Sequence, residues 1–247
     1  HRSECEFAQH QEYQMRIFLI TAVSAALLLG CAEDVSKGKV EAEVKEAPAA
    51  AEEAPAAEGE AAPAAEGEAA EAAAPAGEAW AVDSAASKIQ ALGAKITATH
   101  DIVFNTFTGS VNVDGGDVVA VGFEVDMNSM LADPEKDGGN KKLTGHLMSP
   151  DFFNVAANPT STFASTSVTA GSDAEGMTHT VVGTLTMAGK GMEVTFPANI
   201  EVAEAGVTAK TEFAIDRQLW GITYPGKPDD LIQDKVVLTI DLKANKG

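Results

Sequence analysis

Three histidines, His100, His146 and His179, lie in the part of the chain with regular hydrophobic patterning, and none stands at metal-ligand spacing from a cysteine or another histidine. An imidazole is a useful acid–base group near neutral pH only when a second polar group faces it in a pocket. His179 sits beside turn residues. His146 falls in a stretch of helical spacing, Asn140–Met148, and reads as a hydrogen-bonded structural residue ahead of a ligand contact or a catalyst. The run Asp133-Pro134-Glu135-Lys136-Asp137-Gly138 imitates a calcium loop, but Thr144 stands where the twelfth position needs Glu, and Pro134 is out of place. No nucleophile-elbow serine or phosphate-binding glycine loop occurs. Asp229 and Asp230 follow the turn Tyr224–Pro228, which supplies no apolar wall to raise a carboxyl pKa. Asp216-Arg217, beside Trp220, either forms a buried pair or offers Arg217, with Lys141 or Lys142, to an anionic group. No catalytic residue, metal or cofactor is expected.

Charge narrows the partners. The net charge is −20, from 37 acidic and 17 basic residues, which disfavours a phosphate backbone. Both cysteines, Cys5 and Cys31, precede the patterned region, so that region has no disulfide, thiolate metal site or cysteine nucleophile.

The N-terminal part reads as an address. Residues 1–14 show no apolar periodicity and are expected to lie upstream of a true start at Met15. Arg16 and the apolar run Ile17–Gly30 fit a signal peptide, because a membrane-spanning helix needs about 20 residues. Leu28-Leu29-Gly30-Cys31 resembles the bacterial lipobox, which implies export, lipidation of Cys31 and display in the periplasm on a membrane, the outer one in a two-membrane bacterium. Residues 32–79 are rich in Ala, Glu and Pro, with the octapeptide APAAEGEA repeated at 54–61 and 62–69. Recurrent prolines and like charges predict a disordered tether of about 40 Å.

Residues 80–247 form the globular domain. Short runs alternate apolar and polar residues, as in Met192, Val194, Phe196, Ala198 and Ile200, and turns such as Asp114-Gly115-Gly116-Asp117 separate them. The pattern predicts an all-β, eight-stranded antiparallel barrel or sandwich, with a short helical insert at 140–148. The small inward residues Gly109, Gly122, Gly183 and Ala198 are expected to leave lumenal space, although a filled core fits the same pattern.

Five segments in order resemble the YceI-like family of periplasmic lipid- or polyisoprenoid-binding proteins. They are Trp80-Ala81-Val82-Asp83 with Ser87-Lys88-Ile89, Phe107-Thr108-Gly109-Ser110-Val111, His146–Val155 with Asn158-Pro159 and Thr162-Phe163, Gly183–Lys190, and Phe213–Ile222. Ile102-Val103 and Ala188 depart from the family's pattern. The resemblance implies a lipocalin-like barrel whose lumen holds a long apolar chain, such as an isoprenoid or isoprenoid quinone, as a membrane-tethered carrier or buffer. The expected lumen residues are Phe107, Val111, Val121, Phe123, Val125, Phe163, Leu185, Met187, Val194, Phe196, Phe213, Ile215, Trp220, Leu238 and Ile240, with His146, Arg217 and Lys141 as headgroup contacts. The alternative is a surface-displayed structural or protein-interaction domain without a lumenal ligand. An enzyme is not expected, because the inward faces offer almost no acid or base.

Overall fold

The computed structural model describes residues 33–47 and 76–246. The expected start at Met15, the signal peptide, Cys31 and the octapeptide repeats lie outside the described residues. In chain order the strands are β1 (Val40–Glu41), β2 (Glu43–Glu46), β3 (Glu78–Val82), β4 (Lys88–Lys95), β5 (Ala98–Phe104), β6 (Phe107–Asp114), β7 (Asp117–Asp126) and β8 (Met130–Ala132). Helix α1 (Lys141–Leu147) follows, then β9 (Thr160–Ala170), β10 (His179–Met187), β11 (Lys190–Ala203), β12 (Gly206–Asp216), β13 (Gly226–Lys227), β14 (Asp230–Leu231) and β15 (Lys235–Asn245).

Period-two side-chain alternation makes the long strands two-faced, and one face is buried. On β11, Met192, Val194, Phe196, Ala198 and Ile200 are buried in register with the alternation. Curling that face inward gives a closed eight-stranded antiparallel barrel, in the order β12, β11, β10, β9, β7, β6, β3, β15, with β15 pairing back onto β12. The first half of β15 also pairs with β4, and β4, β5 and β8 extend the sheet beside the barrel end. The Asp114–Asp117 hairpin forms as expected. A bulge there shifts the register between Asn112 and Val113, so Val118 rather than Val119 is buried.

The helical insert is α1, whose capping residue Asn140 accepts a hydrogen bond at Oδ1 from the Leu143 amide (3.1 Å). Leu147 is its buried residue. A buried carboxylate fixes α1 from outside. Asp133 accepts from His100 Nδ1 (2.9 Å), from Asn140 Nδ2 (2.9 Å) and from the Lys136 ammonium. Burial alone would raise the Asp133 pKa, but the hydrogen bonds from Lys136, Asn140 and His100 pull it down to about 2. This is what the calcium-like run does: its carboxylate binds neighbouring side chains.

The expectation of a disordered tether from residue 32 is corrected for residues 33–47. Val40 and Glu41 pair parallel to Phe213 and Ala214 of β12, and Glu43–Glu46 pair antiparallel to Thr195–Met192 of β11. The Ala42 amide donates to the Ala214 carbonyl (2.9 Å), and the Ala42 side chain is buried. The physical reason is local alternation: Val40, Ala42 and Val44 are interleaved with Glu41, Glu43 and Lys45, which is strand patterning within an acidic composition.

Candidate ligand-binding site

Four phenylalanines from four strands fill the middle of the barrel. Phe123 stacks on Phe163 (ring centroids 5.4 Å), Phe163 meets Phe196 at 5.5 Å, and Phe196 stacks on Phe213 at 4.3 Å. Such pairs add about 0.5–1.5 kcal/mol each beyond burial. Of the glycines expected to open the lumen, Gly183 instead makes room for the Phe163 ring and Gly109 for the neighbouring strand at Phe123. A Cβ on Gly183 would stand 2.6 Å from Phe163 Cζ, and one on Gly109 would stand 3.0 Å from Phe123 Cβ. The remaining lumenal cavity is therefore small, about 90 Å³.

Phe123, Val125, Phe163, Leu185, Met187, Val194, Phe196, Phe213, Ile215, Leu238 and Ile240 line this cavity. Val121 lines a smaller space of about 30 Å³ alongside Phe123, Phe163 and Phe196. Phe107 and Val111 are buried in the same core without facing the cavity. Trp220 is buried at the barrel end, where its indole N–H donates to the Leu185 carbonyl (2.9 Å). Sequence reasoning missed Ile89, Ala91, Phe104, Met127, Phe153, Ser161, Ile222 and Val236 in the lining. Several belong to β4, β5 or connecting segments, where short runs blur the alternation. Ser161 differs in kind: its buried hydroxyl has no hydrogen-bond partner among the described residues, and the residue faces a cavity that is apolar apart from it and Arg217.

Arg217 also borders the cavity, with its guanidinium already engaged. It donates to the carbonyls of Ile222 (2.5 Å) and Gln233 (3.1 Å) and to Asp234 Oδ1 (3.1 Å). Burial lowers its pKa, and Asp234 and Asp216 oppose that shift. Its carboxylate partner is Asp234. Asp216 turns to cap the Gln218 amide. Arg217 thus clasps the segment 217–234 across the barrel end.

A second, larger chamber of about 240 Å³ lies in line with the first. On β4, Ile89 and Ala91 face the lumen while Gly93 and Lys95 face this vestibule. On β5, Phe104 faces the lumen while Ile102 and His100 face the vestibule. Leu143, Leu147 and Phe152 add apolar wall; Tyr224, Lys227 and Asp230 add polar groups. His146 lines it too, with Nε2 3.0 Å from Asp151 Oδ2 and its ring edge-on to Phe152 and Tyr224. Lys95 pairs with Asp230. Lys141 is exposed at the start of α1 and borders neither chamber. Apolar contacts can hold a chain in the lumen, and the vestibule offers donors and acceptors to a polar end. Among the described residues, no group of three or more His, Cys, Asp or Glu could hold a metal ion.

Comparison with known proteins agrees with this architecture. A curated relative, a UPF0312 protein of Pseudomonas aeruginosa, is 37% identical over 97 residues, which cover 39% of this chain and 47% of the relative. The chain thus spans about half the length of the curated relatives it matches. Burkholderia cenocepacia BcnA superposes with a TM-score of 0.54 at 24% identity, over 66% of this chain and 99% of that one. A polyisoprenoid binding domain from Saccharophagus degradans, implicated in plant cell wall breakdown, superposes with a TM-score of 0.54 at 14% identity, over 68% of this chain and 98% of that one. Residues 80–244 match the YceI-like domain, and the chain belongs to that family.

Proposed function

We propose that the barrel binds an amphipathic long-chain lipid, of the isoprenoid or isoprenoid-quinone type, as a membrane-tethered periplasmic carrier or buffer. The observation that carries this reading is the alignment of a phenylalanine-walled lumen with a polar vestibule along one face of β4 and β5. The apolar chain occupies the lumen and the oxygen-bearing end lies toward the vestibule. The Ser161 hydroxyl offers a hydrogen bond to any polar group that reaches deeper. The likeness in fold to a polyisoprenoid binding domain supports the same reading.

Ligand pockets are commonly about 300–1,000 Å³, and the lumenal cavity of about 90 Å³ lies below that range. A bound chain therefore displaces phenylalanine rings instead of dropping into a ready-made hole. Acylation of Cys31 supplies the tether.

Organic extraction of the purified protein, followed by mass spectrometry, tests the reading. A stoichiometric isoprenoid or quinone lipid is expected. A lipid-free protein that also refuses added isoprenoids contradicts it.

A further inference from the structure

The barrel has a seam. Strands β11 and β12 pair with each other only from Asn199–Ala203 to Gly206–Lys210. Beyond that point they part. Pro197 has no N–H to offer a ladder, and its carbonyl accepts from the Thr211 hydroxyl (2.6 Å). Residues 40–46 fill the gap between them, β1 on the β12 side and β2 on the β11 side. Val194 and Phe196 on one bank, and Phe213 and Ile215 on the other, line the lumenal cavity. The segment therefore closes the wall over the ligand chamber, although it lies outside the family domain at 80–244.

We propose that residues 33–47 are a releasable strap over a lateral portal, and that a lipid reaches the lumen between β11 and β12 when the strap lifts. The inference rests on the lumen being the ligand site. The barrel end at Trp220 is more firmly held. At the barrel end, Trp220 is tied to Leu185 and Arg217 clasps the segment 217–234. The strap is held more lightly. Its strands are two and four residues long, and its inward side chains are the small Ala42 and the half-buried Val44. Its surface pairs, Lys39 with Glu212 and Lys235 with Glu41, involve half-exposed or exposed groups. Short, lightly buried elements are those that open locally while the rest of a fold stays intact. Once lifted, the strap exposes two strand edges and a path directly onto the stacked Phe196 and Phe213 rings.

The test locks the strap. Lys45 and Glu193 are direct cross-strand partners, and such pairs stand close enough for a disulfide. The full chain carrying K45C and E193C, with Cys5 and Cys31 replaced by Ser, is compared oxidised and reduced. The probe is all-trans-retinol, a fluorescent isoprenoid alcohol. The reduced form is its own folding control. Oxidation is expected to slow retinol uptake about tenfold or more, as for loss of a local opening, and reductant restores the rate. Ala42→Pro, which removes the amide bonded to Ala214, is expected to speed uptake. Equal rates in the oxidised and reduced forms overturn the portal while leaving the lumen reading intact, and so does an Ala42→Pro variant that takes up retinol no faster. If neither the variant nor the unaltered chain binds retinol at all, the lumen reading fails and the portal fails with it.

Discussion

Phe196 and Phe213 lie face to face in the lumen, centroids 4.3 Å apart and planes 11° from parallel. They come from β11 and β12, the two strands that part at the seam. The pair props the wall and fills the space a ligand chain would take. Phe196→Ala should therefore destabilise the protein by about 3–5 kcal/mol, the range for large-to-small core changes. It should also accelerate retinol association, because one ring no longer has to move. Denaturant melts and stopped-flow fluorescence read the two effects.

Ser161 separates ligand recognition from stability. Its buried hydroxyl is unpartnered among the described residues, and removing an unsatisfied group of this kind should stabilise by about 1 kcal/mol or be neutral. Ser161→Ala should raise or preserve the melting temperature. It should weaken binding of a short-chain isoprenoid quinone more than binding of squalene, which has no polar atom. Parallel titrations with the two ligands check this.

Asp133 sets an acid limit. Its folded pKa of about 2 lies below the ordinary carboxylate value of 3.8. A depressed pKa stabilises the fold above the unfolded value, and this contribution falls away as pH drops from about 4 through about 2. The shift corresponds to about 2–3 kcal/mol. Asp133→Asn should lose about that much at pH 7 and almost nothing near pH 2. Equilibrium unfolding of both proteins across that window measures it.

Arg217 is a clasp, and a substitution there should act on stability before binding. Arg217→Met removes the charged hydrogen bonds to Ile222, Gln233 and Asp234. A loss of about 2–3 kcal/mol is expected, given the usual worth of hydrogen bonds to charged groups. Faster amide exchange in residues 217–234 should accompany it, read by hydrogen–deuterium exchange.

The barrel was legible because alternation survives in long strands: Met192 to Ile200 announces its buried face residue by residue. The cavity was legible only in outline. A glycine such as Gly183 says that something comes close, and the sequence does not say whether it is a ligand or the Phe163 ring. Arg217 invited pairing with its neighbour Asp216, yet that carboxylate caps the following turn, and the true partner, Asp234, lies a loop away. The strap was hidden by composition. Val40, Ala42 and Val44 carry a strand signal too short to stand out from the surrounding Ala and Glu, and what fixes it is pairing with strands more than a hundred residues later.

Retinol titration followed by methyl NMR tests lumenal binding most directly. Saturable shifts should concentrate on the methyl groups of Val194, Leu238 and Ile240, which line the cavity. Shifts confined to the exposed Val202, Leu219 and Leu231, with the lumenal methyls unmoved, would mean that the apolar ligand meets only the surface and that the barrel is not its container.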